Sequence, residues 1–151
     1  MTPPEVAIVG IDPGPEPGVV VLWCSDGAVA HVDTYTDPWV ALRNLQRGPG
    51  MPELLVWVAV ERFIVGRGTI RKTRAASMET IAQAEQLRAD ARALTPHVQF
   101  LPAAAVKPVV TDAKLTAYGI TGLPSRHHRD AARHALFMAL KHGAVKVAPV
   151  G

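Results

Sequence analysis

The sequence has one cysteine, no long apolar run and no leader-like segment, and each shortage removes a class of protein. Cys24 stands alone, so no internal disulfide can staple a secreted miniprotein; a reducing, cytoplasmic compartment is expected. One cysteine cannot build a zinc ribbon either. The longest apolar runs, Val19 to Cys24 and Leu54 to Val60, fall far short of the roughly 18 to 20 residues of a membrane span. No membrane partner is therefore expected. The start, Met1-Thr2-Pro3-Pro4-Glu5, has neither a charged n-region nor an apolar h-region, so no signal peptide is expected. A Gly-x-x-x-x-Gly-Lys stretch is missing, and with it the usual reason to expect a nucleotide cofactor. Internal repeats, low-complexity segments and a linker long enough to divide two domains are also absent.

What is there suits one globular domain over residues 1–151. Of the 151 residues, 48% are apolar and 19% charged, which excludes a disordered chain. A chain of this size buries roughly 70% of its extended surface on folding. The net charge of +3 hides an asymmetry. Residues 1–61 carry eight acids against Arg43 and Arg47, whereas residues 62–151 carry fourteen bases against five acids. Such a split either marks a polyanion-binding half or is averaged over one surface on folding.

Glu5 to Asp12 reads as a buried strand, Pro13 to Gly18 as a turn, and Val19 to Cys24 as a second strand. Ser25-Asp26-Gly27 signals a hairpin into a third strand, Ala28 to Tyr35. Asp37 and Pro38 suit the N-cap and first position of a short helix ending at Gln46. Leu54 to Glu61 is apolar on both faces and belongs inside a covered sheet. Phe63 to Ala76 reads as a basic, glycine-containing loop. Met78 to Leu94 reads as a helix burying Met78, Ile81, Leu87, Ala91 and Leu94. His97 to Leu101 is a short strand, and Ala103 to Tyr118 is two short helices broken at Pro108. Asp130 to His142 is a helix burying Ala132, Ala135, Leu136, Ala139 and Leu140, closed by Gly143. The sum is an α/β chain: a mixed five-stranded sheet, three strands antiparallel and then two parallel, flanked by helices. This order is that of the ribonuclease H-like architecture.

Asp12 ends the first strand, Glu61 ends the most apolar one, and Asp130 starts the last helix. Acids at the carboxyl ends of strands stand at the rim where α/β sheets bind ligands. Three converging carboxylates repel one another unless a cation holds them, and hard oxygen donors favour Mg2+ or Mn2+. Two such ions about 4 Å apart can activate a water and stabilise the leaving oxygen of a phosphodiester. Taken singly, each acid is equally an ordinary strand end or helix cap.

Four segments carry a resemblance. Ile8-Val9-Gly10-Ile11-Asp12-Pro13-Gly14, followed by the strand from Gly18, is similar to the opening motif of the RuvC family of Holliday junction resolvases. Val58-Ala59-Val60-Glu61 resembles the family's second motif. Pro102 to Lys107 with Val109-Val110-Thr111 resembles the segment bearing a basic active-site residue. His127-His128-Arg129-Asp130-Ala131-Ala132, leading into Ala135-Leu136, resembles the last acidic helix, particularly in phage-encoded members. The four occur in order and span nearly the whole chain.

The resemblance implies a ribonuclease H-like homodimer that cuts four-way DNA junctions symmetrically with Mg2+ or Mn2+, two ions per site. For a phage-encoded member, the location would be the host cytoplasm. Carried over by position, Asp12, Glu61 and Asp130 would be metal ligands. His127, three residues before Asp130, would share its helix face as a ligand or as a proton donor. A second alignment instead puts Asp130 at the earlier position and Arg133 or His134 at the later one. Lys107 would stabilise charge at the reacting phosphate, or is a solvated helix lysine; Lys114 is a weaker version of the same idea. His128 and His134 read as exposed or groove-facing.

The run Arg62, Arg67, Arg71, Lys72 and Arg74 contains no acid and begins beside Glu61, which suits phosphate contacts at the rim. Phe63 either wedges into a junction or packs in the core. The helix from Met78 suits a dimer interface or ordinary core. Competing readings are a broader flap and fork nuclease, a non-catalytic junction-binding protein, and a sugar- or acetate-kinase-like phosphotransferase. The last needs two lobes, and the chain is long enough for one.

Overall fold

A computed structural model describes residues 6–63 and 71–147, without the side chains of residues 71–77. Five strands, β1 (Val6–Asp12), β2 (Gly18–Ser25), β3 (Ala28–Tyr35), β4 (Leu55–Arg62) and β5 (Val98–Pro102), form one sheet in the order β3-β2-β1-β4-β5. The first three pair antiparallel, whereas β4 pairs parallel with both β1 and β5. Asp26 and Gly27 both take positive φ, 54° and 78°, the twist-matched geometry of a two-residue hairpin. The helices are α1 (Pro38–Asn44), α2 (Arg71–Leu94), α3 (Ala103–Val106), α4 (Asp112–Ala117) and α5 (Arg126–Lys141). Asp37 caps α1 as its sequence suggests, accepting from the backbone N–H of Trp39 and Val40.

The two-residue period of β1 sorts its side chains onto two cores. Ala7, Val9 and Ile11 pack with Ala41 and Leu42 of α1 and Ala84, Leu87 and Ala91 of α2. Ile8 packs on the other face with Ala132, Ala135, Leu136 and Ala139 of α5. Asp12 therefore leaves the sheet on the α5 side. In β4, Ala59 faces α5 while Val58 and Val60 face α2, so Glu61 leaves on the α5 side too. The parallel register pairs Ile11 with Val60, which puts Asp12 and Glu61 side by side at one edge.

Glycine lets α5 approach. A Cβ on Gly10 would stand 1.9 Å from the Ala131 carbonyl oxygen, and one on Gly18 would stand 2.4 Å from the His127 carbonyl carbon. Both contacts are backbone on backbone, so the helix lies directly on β1 and β2 only because neither residue has a side chain.

Three expected elements differ. The basic segment is not a loop to Ala76: α2 begins at Arg71 and carries Arg71, Lys72 and Arg74 in its first turns. Arg71 to Ser77 contains no glycine or proline, and its alanines and long basic residues are good helix formers. The buried stripe of α2 is Thr80, Ala84, Leu87 and Ala91, whereas Met78 is 59% exposed and Ile81 and Leu94 are half-buried. Leu87 and Ala91 belong to both the expected and the observed stripe; the small Thr80 and Ala84, not the larger Met78 and Ile81, complete the face against the sheet. Lastly, α5 starts at Arg126, with Ser125 accepting from the His128 N–H as N-cap, so Asp130 lies in its second turn and is not a cap. Leu140, expected in the core, is half-buried.

Candidate active site

A cleft of about 610 Å3 opens at the carboxyl edge of β1 and β4, lined by Asp12, Glu61, Lys107, His127 and Asp130 together with Arg62 and Phe63. Three of the elements that reach it, β1, β4 and α5, do so for reasons already given: strand register, strand period and glycine contacts. A further contact comes from α2, where the Gln83 side-chain carbonyl accepts from the Gly14 N–H at 2.8 Å and pins the turn that follows Asp12.

His127 Nδ1 is 3.0 Å from Asp12 Oδ2. That bond fixes the ring and points Nε2 away from the aspartate, as a carboxylate does when it orients a metal-binding or proton-moving histidine. Asp130 is held differently. Arg133 donates through Nη1 to its Oδ1 at 2.7 Å, and Lys107 Nζ stands 3.8 Å from the same oxygen. Its Oδ2 makes no hydrogen bond to a described residue, so one oxygen is anchored and one is left for a ligand. Arg133 Nη2 also donates to Asp112.

The acids do not ionise independently. Burial, then the hydrogen bond and negative charge of Glu61, then the charge of Asp130, push the Asp12 carboxyl up to about 9. Burial works in the same direction on Glu61. It is outweighed by the polar contacts of the His134 and Asp12 side chains and by the positive charge of Lys107, which bring Glu61 down to about 2. Two buried carboxylates side by side thus favour keeping one proton between them over ionising together. A divalent cation fits this donor set: it replaces the shared proton, offers two charges to three carboxylates, and prefers oxygen. Among the described residues, no three such side chains are already drawn together as tightly as a bound ion would hold them.

His134, which only the second alignment brings to the site and which otherwise reads as exposed or groove-facing, stands beside Glu61. It is 1% exposed, with Nε2 3.7 Å from Glu61 Oε1, two turns of α5 beyond His127 on the same face. His128 is also buried rather than exposed; it bonds Ser125 Oγ at 2.7 Å and the Tyr35 carbonyl at 2.8 Å, tying α5 to β3. The ring size and polar tips of both residues read as surface when the start of α5 is placed four residues late.

Among the proposed DNA contacts, Arg62 and Phe63 line the cleft, and Phe63 is 39% exposed, outside the core. Arg67 lies outside the described residues, as do the side chains of Arg71, Lys72 and Arg74. Lys114 turns away: its Nζ donates to the Val109 carbonyl at 3.1 Å. Cys24 takes no part, since burial pushes its thiol up to about 11. No helix among the described residues is long and apolar enough to cross a membrane. Comparison with protein-family models and with curated proteins finds no match to this chain.

Proposed function

We propose that the chain is a divalent-metal-dependent endonuclease of the ribonuclease H-like, RuvC-resembling type, which resolves four-way DNA junctions as a homodimer. The observation that carries the reading is the meeting of Asp12, Glu61, His127 and Asp130 in one cleft, where the parallel register sets Asp12 beside Glu61. Excess buried negative charge beside exposed bases suits a site completed by cations and a polyanion.

Asp12, Glu61 and the outward oxygen of Asp130 would hold Mg2+ or Mn2+. When bound there, such an ion supplies activation of a water and stabilisation of the departing oxygen. Asp12 must give up its proton as the site loads. His127, oriented through Nδ1, offers Nε2 at the cleft as a ligand or a proton carrier. Lys107, with its side chain 54% exposed, brings a cation to the phosphate as charge builds on its oxygens. Arg62 and Phe63 meet the strand at the rim. Attack is by water, with no covalent intermediate on the protein. Paired cuts require two such sites, one from each protomer.

The test compares wild type with Asp12→Asn on a synthetic four-way junction with Mg2+. The reading requires wild type to cut and the variant to bind without cutting. A variant that cuts as fast as wild type would sink the metal-site assignment.

A further inference from the structure

The acidic cleft continues past α5. Lys107, Arg126 and Asp130 line it and also line a second cleft of about 470 Å3, walled further by Asp112, Arg129 and Arg133. Four cations there face two carboxylates. Arg133 is already committed to both of them, through Asp130 and Asp112. Arg126 and Arg129 are not: both are exposed, and neither makes an ion pair or side-chain hydrogen bond to any described residue. They stand three positions apart on α5, close enough for their like charges to repel, at the positive end of a sixteen-residue helix. A ligand that relieves this arrangement is an anion, and the planar guanidinium fork matches phosphate oxygens.

We propose that this second cleft is a subsite for a neighbouring phosphodiester of the DNA strand lying across the acidic site, held by Arg126 and Arg129. The identity of the strand rests on the nuclease reading above. Continuity between the clefts through Lys107, Arg126 and Asp130 makes the subsite a ruler: a phosphate seated on Arg129 fixes which phosphodiester reaches Asp12 and Glu61.

Arg129 lines the second cleft and not the acidic one, so it separates the two roles. The experiment uses the full chain as wild type, Arg129→Gln and Arg129→Lys. Binding of a labelled four-way junction is followed across salt concentration, and cleavage with Mg2+ is followed across junction concentration. Thermal melts establish that each variant folds. Each lost phosphate contact lowers the slope of log K against log salt by about 0.9. Arg129→Gln is expected to lose that much, and to raise KM severalfold with kcat within about twofold of wild type, the pattern of lost uniform binding. Arg129→Lys restores the slope. An Arg129→Gln slope and KM equal to wild type, while wild type cuts, overturns the subsite alone; so does a fall in kcat with no change of slope. A wild type that neither binds nor cuts junctions removes the nuclease reading and this inference with it.

Discussion

His127 and Asp12 lie 115 residues apart in sequence, yet His127 Nδ1 and Asp12 Oδ2 meet at 3.0 Å. The meeting depends on two glycines. Gly10 and Gly18 let the backbone of α5 rest on β1 and β2 where any Cβ would collide with Ala131 or His127. The site is thus assembled by close backbone packing, and its geometry is sensitive to a single methyl group.

Gly18→Ala is accordingly expected to lower stability by about 1–3 kcal/mol, the range for overpacking, and Gly10→Ala by at least as much. The collisions are with backbone, which cannot rotate away. Denaturant midpoints measure the loss. Both variants at wild-type stability would mean that α5 does not lie where the structure puts it.

The stability of the metal-free protein should depend on pH through Asp12. Its carboxyl binds a proton more tightly folded than unfolded, so its contribution is complete below the ordinary value of 3.8 and is lost as pH rises towards about 9. Glu61 runs the other way: its contribution is present above 4.5 and fades as pH falls towards about 2. Thermal melts in chelator from pH 5 to 9 should therefore show wild type losing stability relative to Asp12→Asn. Parallel curves for the two proteins would contradict the shared proton. Added Mg2+ should stabilise wild type more at pH 8 than at pH 5, because loading releases that proton.

Lys107→Ala should cut the single-turnover cleavage rate by about 10²- to 10³-fold, the loss typical of one donor removed from a developing oxyanion. Junction affinity should change only a fewfold, since Lys107 is one cation among several at the cleft. A rate within twofold of wild type would return Lys107 to the role of a solvated helix residue.

His134→Ala should destabilise the fold by about 2–4 kcal/mol, because it empties a fully buried position and removes the partner of Glu61. His134→Gln, which keeps a donor near Glu61, should recover part of both stability and cleavage. Equal loss in the two variants would show that only ring packing matters there.

Asp12 and Glu61 were legible in the sequence because each closes an apolar strand, and the pairing of those strands follows from their composition. Lys107 was legible only through the resemblance carried by Pro102 to Lys107. The start of α5 was not. Ser125 is an ordinary N-cap, but the polar run from Arg126 to Arg129 hides the helix until the alanines begin. That displacement also hid the burial of His128 and the anchoring of Asp130 by Arg133, while His134 entered only through the second alignment. Gly10 and Gly18 read locally as weak points in strands; their reason lies in a helix more than a hundred residues away. The basic run from Arg71 read as loop because it follows Gly66 and Gly68 and is polar throughout, although its composition is helix-forming.

The most direct test of the central claim is the product pattern on four-way junctions, flaps and linear duplexes of matched sequence, with Mg2+ or Mn2+. The account predicts paired, symmetric nicks confined to the four-way junction, abolished in Asp12→Asn. Junction binding with no cut by wild type under either metal would contradict it and leave a protein that binds branched DNA without cleaving it.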